Sequence, residues 1–448
     1  MTTSTHDGAD RTAPAARTGT RFPAQRAGSD RTAGPRSGRR GLSGAAWLIL
    51  PPLGAFIVGN LLYLVAAHRG GHNYLDPATH RRFDARLYEE IAQHGYQVFR
   101  CGDVPRLAQM YGPDAWCGNA GWFPFYPWAT RAVHAVTPWD WATAALIATQ
   151  LATLAMFVLL WWLLLRVLPA PVVSGAGRWG PAFLGSRHLA VLALGLFAPA
   201  GVYFFANFPM SWAVAGMLAY LGLLARRRWV WAGVAGAVAA MSYPVAGAVV
   251  VAGLLALAVL AGRGEVPGWR RLTGAAFALG GLPAAGLLAV LAYQKMSAGY
   301  WDGYFKIQSH YQGIGHNPLA NFFHLVVDPR VPRAAGDGRR ADLLRFVSIA
   351  EMWVALGLVV LAVVAARIGA LQGRLAAVDV GLAALAPVMF LVPLVVGVQI
   401  TQYRSHLLML PAVLVLRHLP GWLLWPLAPC LAALAYWMGT LYFPSILF

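Results

Sequence analysis

The chain has 448 residues, of which 58% are hydrophobic and only 12% charged, about half the charge of a soluble domain. Its apolar residues come in successive runs of roughly 18 or more, which excludes a soluble fold and also an outer-membrane barrel, whose strands would alternate. A formal net charge of +18 fits arginine and lysine gathered on one membrane side and membrane lipids with anionic headgroups as partners; no nucleic-acid motif accompanies it, so no nucleic-acid partner is expected.

Residues 1–42 hold eight arginines among Ala, Gly, Thr and Pro, and cannot bury a core. They are expected to be a disordered basic cytoplasmic tail, too long for a cleaved signal peptide, which fixes the first helix with its N-terminus inside. Residues 43–448 are expected to form one integral membrane domain of the cell membrane. The first span, Ser43–Ala67, delivers a long loop, 68–140, to the outer side. That loop closes with GWFPFYPW, Gly121 to Trp128, before a second span at 141–165.

A connector with Arg166, Arg178 and Arg187 marks the inside, followed by spans at 188–205 and 210–225 on either side of a turn at Asn207 and Pro209. The block Trp229–Ala261 is too long for one span and too short for two, and it is interrupted at Ser242–Tyr243–Pro244. Two short helices that dip in and return are expected, and broken backbone at membrane depth points to a cavity. A span at 272–295 leads to a second outer loop, 296–345, and further spans are read at 346–366, 377–400, 405–416 and 420–441. The fold class is thus all-α, a polytopic bundle of roughly ten to twelve transmembrane or re-entrant segments with two long extracytoplasmic loops.

Polar chemistry concentrates in the first loop. The stretch FDARLYEEIAQHGY, Phe83 to Tyr96, is a short charged helix in an apolar chain. Asp84, Tyr88 and Ile91 share a face, and Gly95 ends the helix. Asp84 reads either as a general base at the lipid–water boundary or as a helix N-cap. Trp122, Phe123 and Tyr126 read either as interfacial aromatics or as one wall of a substrate site. Arg404 and His406, at the outer end of a helix pair, suit a phosphate contact or a lipid headgroup. Lys306 is a further phosphate candidate in the second loop. His310, His316 and His324 have no zinc-like spacing, so no metal site is expected. Cys101 and Cys117 share the first loop and would clamp it if it faces an oxidising compartment; the sequence leaves the paired and free states open. Phosphate-binding glycine loops and nucleophile elbows are absent from the sequence.

The stretch from Phe83 to Tyr96 resembles a signature of the PIG-V-like mannosyltransferases, in the GT-C class of membrane glycosyltransferases, W-D-x-x-x-Y-x-x-I-A-x-x-G-Y. Asp84, Tyr88, Ile91, Ala92, Gly95 and Tyr96 match, and Phe83 stands for the Trp. Trp122 to Pro127 is similar to the family's F-F-P-x-Y-P element in the same loop, and Gln402 to Leu414 to its R-Y segment with Tyr403 and Arg404 in swapped order. Asn207 to Trp212 lacks the family's Glu, and Tyr243–Pro244 stands where an Arg-Pro is common.

The resemblance implies a sugar, mannose in the family, carried on a polyprenyl phosphate and transferred outside the membrane with inversion. Asp84 would be the base. Arg404 would meet the leaving phosphate, with His406 and Lys306 behind it, and Tyr88, Trp122, Phe123 and Tyr126 would line the substrate site. No cofactor or metal is implied. For a chain this rich in Arg, Ala and Gly, as in a high-GC bacterium, the acceptor expected is an envelope lipoglycan, polysaccharide or protein. The rival readings are a transporter or flippase for a lipid-linked or small polar solute, and a non-catalytic subunit of an envelope assembly complex.

Overall fold

In the computed structural model, residues 40–168, 186–309, 338–369, 376–396 and 402–445 are described. His310, His316, His324 and most of residues 1–42 lie outside them. Six helical stretches among the described residues are long and apolar enough to cross a membrane: Ala46–Arg69, Trp141–Val167, Pro244–Gly262, Trp269–Ala298, Ile349–Arg367 and Gly421–Tyr442. Shorter apolar helices at Arg187–Leu196, Met210–Ala225, Trp229–Ser242 and Ala377–Val392 fill the bundle between them. The protein is therefore a multi-pass helical membrane protein.

Helix α1 (Arg40–Arg69) leads into the first loop. That loop is built from α2 (Ala85–His94), α3 (Pro105–Tyr111), α4 (Phe125–Val136) and two short strands, β1 (Val98–Arg100) and β2 (Trp116–Gly118). The strands pair antiparallel with Phe99 opposite Cys117. They are the one exception to an all-α chain among the described residues. Cys101 and Cys117 are joined by a disulfide beside this ladder, with Cα atoms 5.1 Å apart.

The chain then runs through α5 (Trp141–Trp162), α6 (Arg187–Leu196), α7 (Val202–Phe205), α8 (Met210–Ala225), α9 (Trp229–Ser242) and α10 (Val249–Gly262). The expected span 188–205 is interrupted. Pro199 cannot continue α6, and Ala200 takes a left-handed φ of 57° before α7 begins. The break between α9 and α10 falls at Tyr243–Pro244, where the extended Tyr243 is followed by a short 3-10 turn. Next come α11 (Trp269–Ala276) and α12 (Leu282–Ala298), joined by a π turn just before Pro283, whose missing N–H disturbs the ladder. Helix α13 (Gly303–Gln308) opens the second loop. After it come α14 (Gly338–Gly369) and α15 (Ala377–Val396), so a helix already replaces loop at the end of the expected 296–345 segment.

The expected span 405–416 is unusual. Helix α16 (Gln402–His406) continues as a 3-10 segment over Leu407–His418 with Pro411 inside it. Helices α17 (Gly421–Leu424) and α18 (Leu427–Tyr442) close the described chain.

Helices α8 and α9 approach closely because small residues face each other. A Cβ on Gly216 would lie 2.9 Å from the Ala239 backbone nitrogen, so only glycine fits there. Polar contacts gather several helix ends at one end of the bundle. The Gln294 amide donates to the Ala120 carbonyl at 2.7 Å, and Asn207 donates to Ala142 at 3.3 Å. These contacts bring the C-terminus of α12, the start of α8 and the first loop to the same end.

Candidate functional site

Asp84 sits at the N-terminal end of α2, preceded by Phe83 in a left-handed conformation with φ 52°. A bulky residue there is strained, and such strain persists only where the surroundings hold it. Phe83 is held by Tyr442, with ring centroids 5.9 Å apart. The Asp84 carboxylate makes no hydrogen bond to its own helix end. It accepts instead from the guanidinium of Arg404, at the opposite end of the sequence. The N-cap role open in the sequence is therefore not what this side chain does. The side chain of Arg404 is 7% exposed and that of Asp84 30%, so the pair is sunk in protein on one side and open on the other.

Three aromatic rings surround the Arg404 guanidinium: Tyr203 at 5.2 Å, Phe208 at 5.3 Å and Phe83 at 5.9 Å from its central carbon. Tyr203 in turn packs edge-on against Phe208 and Tyr442, at 4.8 and 5.3 Å. A cation against ring faces in a dry setting is stabilised by their quadrupoles. Tyr243, delivered by the break between α9 and α10, lies within electrostatic reach of both Arg404 and Asp84. Tyr88, one turn along α2 from Asp84, is buried against Phe208 and Tyr126. Burial pushes its phenol well above the ordinary range, so it remains a hydrogen-bond donor. Gly95 ends α2 with φ 79°, a value that favours glycine.

The other residues singled out in the sequence separate into groups. Phe123 is buried and packs on Tyr304 at 5.4 Å. Trp122 is half-buried, and its carbonyl accepts from the Tyr96 hydroxyl at 2.8 Å. Tyr126 is 1% exposed; its hydroxyl donates to the Ala145 carbonyl at 3.1 Å and accepts from Thr149. This is the geometry of a brace between α4 and α5. Lys306 is drawn to Asp302 at 2.6 Å and lies over the rings of Trp116 and Tyr300, so its ammonium is engaged away from the Asp84–Arg404 pair. Among the described residues no group of three or more His, Cys, Asp or Glu side chains could hold a metal ion.

His406 is buried and lines a cavity of about 440 Å³ that begins two residues beyond Arg404. The cavity runs along one face of the 3-10 segment, from Leu407 to Leu416, against α6, α14 and α18. Its walls are almost wholly apolar, with Leu194, Val354, Leu410 and Leu431 prominent, and Glu351 is the one carboxylate among the lining residues. A space of this shape accepts a hydrocarbon chain better than a polar solute.

Sequence reading missed the aromatic surround, because Tyr203, Phe208 and Tyr442 are indistinguishable from core aromatics until the helices are packed. It also missed Glu89, which is 3% exposed and paired with Arg81 at 2.8 Å. Burial raises the Glu89 carboxyl while Arg81 opposes that shift. Its spacing, four residues after Ala85 and three before Ala92, was the available signal, since it puts Glu89 on the buried face of α2.

No family model matches the chain, and no curated protein matches its sequence.

Proposed function

We propose that the protein is a membrane glycosyltransferase that moves a sugar, mannose on the resemblance of its motifs, from a polyprenyl-phosphate donor to an extracytoplasmic acceptor with inversion. The observation that carries this reading is the Asp84–Arg404 pair, its carboxylate 30% exposed, with an apolar cavity that begins at His406, two residues along the chain from Arg404. A carboxylate and an arginine side by side match the two charge changes of the reaction.

The acceptor hydroxyl attacks the anomeric carbon as the bond from that carbon to the phosphate oxygen breaks. Asp84 takes the hydroxyl proton, and Arg404 meets the charge that grows on the departing phosphate. Arg404 suits this role because its planar fork matches phosphate oxygens. The cavity behind His406 takes the prenyl chain. In the free protein Arg404 satisfies Asp84; an incoming phosphate competes for the guanidinium and releases the carboxylate to act as base. In this reading Tyr243, within electrostatic reach of both charges, and Tyr88, buried one turn along α2, shape the polar centre, whereas Tyr126 and Lys306 serve the scaffold.

Transfer of radiolabel from polyprenyl-phosphate mannose, measured in membranes holding equal amounts of wild-type and Asp84→Asn protein, tests the reading. Label appearing in a new lipid or polymer only with the wild type is the expected result. Equal transfer by both proteins removes Asp84 from the chemistry.

One observation favours a second reading, a transporter or flippase for a lipid-linked solute. Glu351 lies near the start of the apolar span of α14 and lines the cavity, and carboxylates in such spans commonly mark a translocation path. In that case Glu351→Gln abolishes substrate movement across vesicles, and no label changes its chemical linkage.

A further inference from the structure

A second cluster of charge lies far from Asp84. Arg417 is thirteen residues beyond Arg404 along α16 and the 3-10 segment, which places it about 20–26 Å away at 1.5–2.0 Å per residue. Its guanidinium donates to Asp379 Oδ1 at 2.5 Å, and His418 Nε2 meets Asp379 Oδ2 at 3.1 Å. Asp379 is 4% exposed and Arg417 1%. From the start of α6, Arg187 donates to the Arg417 carbonyl at 3.4 Å, and His188 lies within electrostatic reach of Arg417. Three elements, α6, α15 and the end of the 3-10 segment, thus bring two arginines and two histidines around a single carboxylate.

Each oxygen of that carboxylate already meets a partner, one Arg417 and the other His418. Three buried nitrogens nearby have no hydrogen-bond partner among the described residues: Arg417 Nε, His418 Nδ1 and His188 Nε2. The chain also has little to add. Between Asp140 and Glu265 it contains no Asp or Glu, and residues 169–185 and 370–375, which flank the cluster in sequence, contribute Arg178 and Arg374 but no acid. Glu265 is paired with Arg227. The N-terminal tail sets three aspartates against eight arginines. Arg417 is the buried partner of Asp379, and among the described residues no carboxylate pairs with the half-buried Arg187 beside it, so the cluster holds more positive than negative charge in a partly desolvated setting, which favours a counter-ion. The cheapest counter-ion is an anion from outside the chain.

We propose that Arg187, His188, Arg417 and His418 form a binding site for the anionic phosphate headgroup of a membrane lipid, at the end of the bundle opposite Asp84. Phosphate fits because guanidinium and imidazole donors together address several of its oxygens. A bilayer lipid is favoured as the source because the elements that converge here are apolar, so the cluster sits where they emerge from hydrocarbon. The site is independent of sugar transfer and stands whether or not Asp84 is a catalytic base.

The test uses the full chain, purified in detergent and stripped of lipid. Binding of dioleoyl phosphatidic acid and of dioleoyl phosphatidylcholine is followed by native mass spectrometry for the wild type, for the double variant Arg187→Gln with His188→Gln, and for Arg228→Gln. Arg187 and His188 are only half-buried at a helix start, so the double variant keeps the Arg417–Asp379 pair and the fold. The expected result is one tightly held phosphatidic acid, with affinity reduced about tenfold or more in the double variant and unchanged in Arg228→Gln. Displacement of the lipid by millimolar inorganic phosphate shows that the phosphate group alone is recognised and that free phosphate can also fill the site. Retention of the lipid under that challenge identifies the bilayer as the source. Equal affinity of wild type and double variant, or no preference for phosphatidic acid over phosphatidylcholine, overturns the proposal.

Discussion

Asp84 and Arg404 are separated by 320 positions in the chain and meet as an ion pair. The pair ties the first loop to α16, just ahead of the 3-10 segment, and it is held from behind by Phe83, Tyr203 and Phe208. A buried arginine paired with a carboxylate makes two jobs separable, holding the loop and doing chemistry.

Exchanging the two charges separates them. Arg404→Ala alone leaves Asp84 without its partner and is expected to lower stability by about 1–3 kcal/mol, at the lower end of buried pairs because Asp84 is partly solvated. The double variant Asp84→Arg with Arg404→Asp is expected to recover part of that stability while transfer stays depressed by about 10²–10⁴-fold, the range for loss of a general base. Thermal unfolding in detergent and the radiolabel assay read the two effects. Recovery of transfer along with stability would reduce the pair to a structural tie.

Tyr126→Phe discriminates a brace from a substrate contact. The hydroxyl bonds Ala145 and Thr149 inside the protein, so its removal is expected to cost about 1 kcal/mol of stability. Transfer and the acceptor KM should be unchanged. A rise in KM without loss of stability would return Tyr126 to the substrate site.

The disulfide between Cys101 and Cys117 spans 16 positions and staples the loop next to α3. Closing a loop of that length removes roughly 3 kcal/mol of unfolded-chain entropy. Cys101→Ser with Cys117→Ser is expected to make the stretch between them a preferred site of limited proteolysis, and to lower the melting temperature. Identical digestion patterns with and without the bond would show that packing of Arg100 over Trp116, at 3.8 Å, already suffices.

Acidification should weaken the first loop through His80. This ring is 1% exposed and donates Nε2–H to the Tyr74 carbonyl at 2.7 Å. Burial lowers its pKa from 6.5 to about 4. The unfolded chain therefore takes up a proton near pH 6.5 while the folded protein does not until about pH 4. Stability is complete above pH 6.5 and declines between those values, by up to about 3 kcal/mol at 1.36 kcal/mol per unit. Melting curves of wild type and His80→Gln across pH 4–7 should converge at the acid end, since the variant has no proton to gain.

The sequence carried the membrane character, the first loop and most of the segment pattern, because long apolar runs and arginine-rich connectors are local properties of the chain. The break at Tyr243–Pro244 was legible for the same reason, since proline acts on its own backbone. The interruption of α6 at Pro199 and the 3-10 course of residues 407–418 were not foreseen. Both depend on how the neighbouring helices accept a proline.

Asp84 and Arg404 were each marked by residue type and position, but their pairing was not. Sequence spacing contains no information about contacts between the first loop and the last helices. Lys306 shows the converse. Its loop and charge made it resemble a phosphate ligand, and in the fold a carboxylate four residues earlier, Asp302, together with two rings engages its ammonium. What the sequence determined alone was which stretches are apolar enough to cross a membrane, because transfer of apolar side chains from water is additive along the chain. What only the tertiary structure decided was which polar groups meet, because a buried charge takes whichever partner the packed helices place beside it.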